Sequence, residues 1–163
     1  MKSQVEYVQA TTEDIEQLIN LRLAYINEDF GIIDKKQAIK IKNQLQIYFE
    51  KHIGKDCVIF TAKENGNIIA TAIPVIIEKP ANPRFLYGTT GEVLNVYTVP
   101  QKRHTGIATT LIKMVIEYAN NEKLDLVELK ATKDGYSIYK SIGFKDKVKK
   151  YTEMEYTVKN DEN

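Results

Sequence analysis

Apolar residues recur along this chain at two spacings, and the changes between them mark out its elements. Val5 to Gln9 alternates and predicts a short strand. Thr11-Thr12-Glu13-Asp14 then offers hydroxyl caps and early acids, which suit a helix start. Ile15, Leu18, Ile19, Arg22 and Ile26 share one helical face as far as about Glu28, and Gly31 breaks the pattern. Asp34 is placed to cap a second helix whose stripe is Ala38, Ile41, Leu45, Tyr48, Phe49 and His52, ended by Gly54. Cys57 to Ala62 predicts a strand. Asn65-Gly66 predicts a hairpin turn, and Ile68 to Ile77 the returning strand, with Pro74 marking a bulge or an edge. A loop with two prolines, Lys79 to Arg84, leads to a strand over Gly91 to Val99. The most regular amphipathic helix runs from Gly106 to about Lys123 on Ile107, Ala108, Leu111, Ile112, Val115 and Ala119. Leu126 to Leu129 predicts a strand, and Asp134 to Ser141 a short helix closed by Gly143. Val148 to Tyr151 and Glu153 to Val158 predict a final hairpin before a polar end at Asn160 to Asn163.

This order, with a β-α-β crossover after residue 91, predicts an α/β (α+β) fold: a mixed sheet with helices on both faces. No linker, repeat or low-complexity run divides the chain, so residues 1–159 read as one domain and 160–163 as a polar tail. Length and composition agree: 163 residues, 43% apolar and 28% charged, suffice for a core without staples. With 23 basic and 22 acidic residues the net charge is +1, which argues against a nucleic-acid partner. No apolar run is long enough to span a membrane, and Met1-Lys2-Ser3-Gln4 leads into no apolar signal core. A lone cysteine, Cys57, excludes an internal disulfide and a cysteine-based zinc site, and the two histidines are far apart, so no metal is expected. The expected compartment is the cytoplasm. Nearly all the cations are lysine, which singles out Arg22, Arg84 and Arg103, whose planar forks do what an ammonium does not.

The chemistry concentrates in Val96 to Ala108. A strand ends at Pro100, a polar loop follows, and Gly106 opens the long helix. Amides at such a helix start lack partners and face a positive dipole end, so they suit a phosphate. Gly106 and Ala108 would let an anion approach, and Arg103 can fork onto its oxygens. An ordinary βα turn with a packing glycine fits the same local pattern. The run is neither a P-loop nor a Gly-x-Gly-x-x-Gly dinucleotide loop.

Arg103 to Ala108 resembles Arg/Gln-x-x-Gly-x-Gly/Ala, the acetyl-CoA pyrophosphate motif of the GNAT superfamily of N-acetyltransferases. Val96-Tyr97-Thr98-Val99-Pro100 is similar to that family's fourth strand, and Ile138-Tyr139-Lys140-Ser141-Ile142-Gly143-Phe144 to its Leu-Tyr-x-x-x-Gly-Phe signature. The two motifs in this order make the resemblance specific, and the opening β-α-α and the Asn65-Gly66 hairpin extend it over nearly the whole chain. It implies a mixed, mostly antiparallel central sheet of six to seven strands flanked by about four helices. It also implies acetyl-CoA as co-substrate. Backbone groups of Val96 and Thr98, in the stretch that includes Tyr97, would pair with the pantetheine arm. Arg103, His104, Thr105, Gly106, Ile107, Ala108 and Thr109 would hold the pyrophosphate. Two positions depart from the usual pattern: Thr132 replaces a common asparagine, with less reach to the cofactor, and Ala108 replaces a common glycine.

An amine nucleophile with a pKa of about 10 is mostly protonated at neutral pH, so a base is needed. The resemblance places Glu92 as that base, acting directly or through water, against the plain alternative of a solvated strand-end acid. The Val96 N–H is the candidate donor to the oxyanion, and Tyr139 the candidate acid for the thiolate, against a purely packing tyrosine under Gly143. Cys57 and His52 read as packing residues, and His104 as either a helper in the anion loop or a solvated histidine. Strand alternation points Asn95 away from Glu92, either to contact the acceptor or to fill the core. Arg22 either pairs with a buried carboxylate or snorkels, or it lines the acceptor groove; Arg84 is placed for an acceptor lid. One of these two arginines is expected to recognise an acidic group on the acceptor. The overall expectation is an N-acetyltransferase acting by direct transfer to a small-molecule or peptide amine, with a non-catalytic acetyl-CoA sensor as the alternative. A homodimer edge is expected from the final hairpin.

Overall fold

Two apolar helix stripes, facing each other across one sheet, decide the architecture. The computed structural model describes residues 4–159. Its elements are β1 (Val5–Gln9), α1 (Ile15–Phe30), α2 (Lys35–His52), β2 (Phe60–Glu64), β3 (Asn67–Glu78), β4 (Thr89–Thr98), α3 (Ile107–Asn121), β5 (Leu126–Leu129) and α4 (Tyr136–Ile142). The strands lie in the order β1-β2-β3-β4-β5. Pairing is antiparallel through β4 and parallel between β4 and β5, as the crossover through α3 requires. On one face Ile15, Leu18 and Ile19 of α1 and Leu45 and Phe49 of α2 bury against Ile59, Ile68 and Ile73. On the other, Ile107, Leu111, Ile112 and Val115 of α3 bury against Phe60, Ala62, Ala72 and Val93, with Tyr139, Ile142 and Phe144 packed at their margin.

Local chemistry sets the element ends. Thr11 and Asp14 form a reciprocal capping box ahead of α1, and Lys63 of β2 pairs with the same Asp14 at 2.6 Å. The Asp34 side chain accepts from the Gln37 amide at 2.8 Å and starts α2. Asn65 and Gly66 hold positive φ angles of 51° and 78° in the β2–β3 turn, the geometry that an Asn-Gly pair favours.

Three expectations need correction. The sheet has five strands among the described residues, not six to seven. The final hairpin over Val148–Tyr151 and Glu153–Val158 does not form: that stretch has no strand pairing, and Val148 and Met154 are 95% and 92% exposed. Its apolar side chains have no face to bury against, because β5 is only four residues long and offers a short edge. The dimer edge expected from that hairpin therefore has no strand to rest on. The segment is tethered instead by Lys147, whose ammonium lies 2.9 Å from Glu128 of β5. Cys57, expected within a strand, precedes β2 and makes only isolated bridges to Ile53 and Val75. The polar tail at 160–163 lies outside the described residues. Among the described residues, no helix is long and apolar enough to cross a membrane.

Cys57 is 0% exposed, and burial pushes its thiol up to about 11, with a hydrogen bond to Tyr48 pulling the other way. At pH 8, below that value, the group stays a protonated thiol rather than the reactive thiolate. The native protein is expected to leave a disulfide reagent such as DTNB uncoloured at pH 8 over the minutes in which the guanidinium-unfolded chain releases one equivalent. Rapid titration of the folded protein would show the thiol to be accessible.

Candidate active site

The site begins where β4 loses a neighbour. β5 pairs with β4 only over Thr90–Val93, while β3 follows β4 as far as Thr98. The Val99 amide donates to the Ile69 carbonyl at 2.9 Å. Ladder alternation then turns Tyr97 towards β3 and the N–H and C=O groups of Val96 and Thr98 away from it, into the gap beyond β5. The Thr98 hydroxyl is buried there without a partner among the described residues. The Thr98 carbonyl is taken by Arg103 Nε, but the Val96 N–H and C=O and the Thr98 N–H are left open and can take an extended ligand as if it were a strand.

The loop after β4 continues this open edge. His104 and Gly106 both adopt positive φ, 61° and 84°. The alternation turns successive amides inward as an anion-binding concavity. No amide from His104 to Thr109 has an acceptor among the described residues, and α3 has no side-chain cap. Nothing lies within 4 Å of where a Cβ on Gly106 would project, so the cradle is open. Thr105 stiffens the loop through its hydroxyl, which donates to the Lys102 carbonyl at 2.6 Å, and Lys102 is anchored to Glu64 at 2.6 Å. An arch of free amides contiguous with an open strand edge fits a diphosphate carrier with an extended arm.

Arg103 is held beside this arch rather than over it. Its Nε donates to the Thr98 carbonyl at 2.9 Å, its Nη2 lies 2.8 Å from both oxygens of Glu28, and the guanidinium sits 5.6 Å from the centre of the Tyr97 ring. Tyr97 also donates its hydroxyl to Glu28 at 3.1 Å. With its backbone turned to β3 and its ring against Tyr25 and Arg103, Tyr97 buttresses the arch rather than facing it.

Tyr139 closes the far side. Gly135 lets its ring approach: a Cβ there would stand 2.8 Å from Tyr139 Cε2. Thr132 accepts from the Gly135 amide at 3.2 Å, and Phe144 meets the ring edge-on at 5.8 Å. Burial raises the Tyr139 phenol above the usual tyrosine range, and the nearby Tyr25 adds to the effect.

A bulge reorders the residues expected near the acceptor. Between the pairs Ala72↔Val96 and Pro74↔Val93, β3 advances two residues while β4 advances three. Pro74 brings no N–H to the ladder, and Leu94 and Asn95 together stand against the single residue Ile73. The phase of alternation therefore flips. Glu92, opposite Val75 of the α1–α2 core, shares a face with Asn95, contrary to the simple alternation that set them apart. Glu92 is half-buried, and its carboxylate has no hydrogen bond or ion pair among the described residues. Arg22 pairs with no buried carboxylate; it donates to Asn95 Oδ1 at 2.6 Å. Arg84 lies out on the rim, exposed and 3.3 Å from Glu128, beside Lys147. His52 lies 2.7 Å from Asp56 and stacks on Tyr48, away from this site.

The structure thus gathers Arg22, Glu92, Asn95, Val96, Thr98 and Tyr139 around the β4 bulge and gap, with residues 103–109 at the end. Sequence reasoning missed Glu28, Tyr25 and Gly135. The signal for the first two was available: Arg22, Tyr25, Glu28 and Asp29 recur at three- and four-residue steps, a polar stripe on the second half of α1.

Known proteins share this fold. The model of the acetyltransferase (GNAT) family matches residues 21–144. A predicted acetyltransferase from Clostridium acetobutylicum, crystallised with acetyl-CoA, is 31% identical, with a TM-score of 0.81 over 93% of this chain and 96% of its own. A GCN5-related N-acetyltransferase from Ralstonia eutropha is 21% identical, with a TM-score of 0.75 over 95% of this chain and 99% of its own. An aminoglycoside N-acetyltransferase in complex with CoA is 15% identical, with a TM-score of 0.72 over 96% and 98%. Those last two likenesses show the fold. Among curated proteins, none matches.

Glu28 competes for Arg103 with any phosphate in the arch. Glu28→Gln is expected to tighten CoA binding, by at most about fivefold since exposed pairs are worth up to roughly 1 kcal/mol. Adding Arg103→Ala should remove the gain. Calorimetric Kd values that are unchanged or weaker in the single variant would show that Arg103 does not transfer between the two anions.

Proposed function

The chain belongs to the GNAT acetyltransferase family, and from that premise we propose that residues 1–159 form one catalytic domain that moves an acetyl group from acetyl-CoA to a primary amine by direct attack in a ternary complex. One observation carries the reading: the unpartnered amides of His104 to Thr109 follow directly on the open edge of β4, the strand that also carries Glu92. A single surface thus offers anion donors, strand-like pairing and two proton-handling groups in the order a long thioester needs.

Acetyl-CoA supplies the activated acetyl thioester. The amides of residues 104–109 meet its diphosphate, aided by Arg103 as it exchanges Glu28 for phosphate. Val96 and Thr98 pair with the arm, and Thr132 stands beside Tyr139 as a further polar contact. Glu92, with no competing partner, accepts the amine proton directly or through one water. As the new C–N bond forms and the C–S bond breaks, the Val96 N–H meets the charge building on the carbonyl oxygen. Tyr139, its phenol held protonated by burial, donates a hydrogen bond to the departing sulfur. Its raised pKa makes full proton transfer to a thiolate of pKa about 8.5 more uphill, so stabilising the thiolate is its main part.

Acetyl-CoA at about 100 times its Kd is expected to stabilise the protein by roughly 2.7 kcal/mol in a thermal melt. Glu92→Gln should keep that shift while lowering kcat on an amine panel about 100-fold. Initial-rate lines should intersect when both substrates are varied. Parallel lines with an isolable acetyl-enzyme would overturn direct transfer, and equal slow CoA release by wild type and variant would favour a sensor.

A further inference from the structure

Arg22 differs from the other two arginines. Arg103 and Arg84 each meet a carboxylate, at Glu28 and Glu128. Arg22 is half-buried, and no carboxylate stands within ion-pair distance of it among the described residues; Asp29 acts on it only at longer range. Its one hydrogen bond goes to Asn95 Oδ1, at 2.6 Å, and its guanidinium carbon stacks 5.3 Å from the centre of the Tyr25 ring. Asn95 is 5% exposed, and its own Nδ2 has no acceptor. A guanidinium has five N–H donors and an amide two, so this pair holds a surplus of donors around a single acceptor. A desolvated cation left in that condition is costly, and burial already lowers the Arg22 pKa. A carboxylate, with acceptor oxygens spaced for a guanidinium fork, answers the imbalance.

The position is as telling as the chemistry. Tyr25, against which Arg22 stacks, lies within electrostatic reach of Tyr139. Asn95 stands just past the bulge from Glu92 and on the same face. Arg22 therefore stands, through Asn95, on the same face of β4 as Glu92. We propose that the acetyl acceptor is a small amino acid, whose carboxylate docks on the Arg22 guanidinium while Asn95 orients that fork. The inference rests on the acetyltransfer reading above and names its substrate class. The transfer balances: the ammonium first gives one proton to solvent, the neutral amino nitrogen then gains the acetyl carbon and loses its second proton to Glu92, and the sulfur leaves as a thiolate hydrogen-bonded to Tyr139. Stacking on Tyr25 and the bond to Asn95 fix the guanidinium plane before the acceptor arrives, so little side-chain freedom is lost on docking.

The test uses matched acceptors and thiol release: lysine with cadaverine, histidine with histamine, tyrosine with tyramine, and each acid with its carboxamide. The acids should exceed their carboxylate-free partners in kcat/KM by roughly 10- to 100-fold, the worth of a charged hydrogen-bonded contact. Arg22→Gln should raise KM for the acids by a similar factor, move kcat far less, and erase the preference; Arg22→Lys should restore part of it. Asn95→Asp puts an internal carboxylate on Arg22 and should raise the same KM with the arginine still present, which covers the case in which Arg22 variants fold poorly. The acetyl-CoA melt shift reports folding in each. Equal rates for acids and amines, a preference that survives Arg22→Gln, or no turnover of any acid would overturn the inference. A protein that gives no melt shift with acetyl-CoA would fail the acetyltransfer reading instead.

Discussion

A strand cannot pair with a neighbour that has ended. β5 stops at Leu129, opposite Val93, and β4 runs on to Thr98 with one edge open. Buried main-chain groups must find partners, and most proteins satisfy them within the sheet. Here the Val96 N–H and C=O and the Thr98 N–H turn into a gap, and the loop that follows presents free amides as well. The two deficits adjoin, so one ligand with an extended polar arm and an anionic end relieves both. The α1–α2 core and the α3 core hold β4 rigidly enough for this edge to stay open, since each packs on a different face of the same strands.

Electrostatics then sorts the groups along that edge. Around the arch the protein satisfies its own cation: Glu28 reaches from the last turn of α1 to Arg103 and to the Tyr97 hydroxyl. Under the proposed function that carboxylate holds the guanidinium a bound diphosphate would take. Around the bulge the opposite holds. Arg22 and Asn95 carry more donors than acceptors, and Glu92 keeps its carboxylate free. A zwitterion with a short skeleton complements that arrangement at both ends, whereas a polyamine would leave the Arg22 donors unanswered. On the rim, burial alone would raise the Glu128 pKa, but Lys147 and Arg84 bring it below the ordinary value, so that carboxylate is already engaged.

Much of this was legible in the order of residues, for local reasons. Helix stripes, the Asp34 cap, the Asn65-Gly66 turn, Gly106 before α3 and Gly143 after α4 all depend on neighbours within a turn, and each appears where its chemistry predicts. The family motifs lie in the same short-range segments. The misreadings came from longer range. Asn95 was placed on the wrong face because alternation assumes an unbroken ladder, and the flip depends on Pro74 across the sheet. Glu28 and Arg103 are 75 residues apart, so no local pattern pairs them. The final hairpin had the right alternation, but the sheet edge it needed was too short to receive it.

Tyr139 shows how packing can decide a chemical role that residue type leaves open. A phenol in water is acidic enough to hand its proton to a thiolate at a modest cost. Gly135 admits the ring into a buried seat and Phe144 covers its edge, so desolvation makes the phenolate harder to form. The packing that positions the hydroxyl thereby weakens it as an acid and favours it as a hydrogen-bond donor. A larger residue at 135 would push the ring out and strengthen the acid while losing its aim. Under the proposed transfer a leaving thiolate needs only a hydrogen bond to depart, so the aim that Gly135 allows the ring would matter more than its acidity.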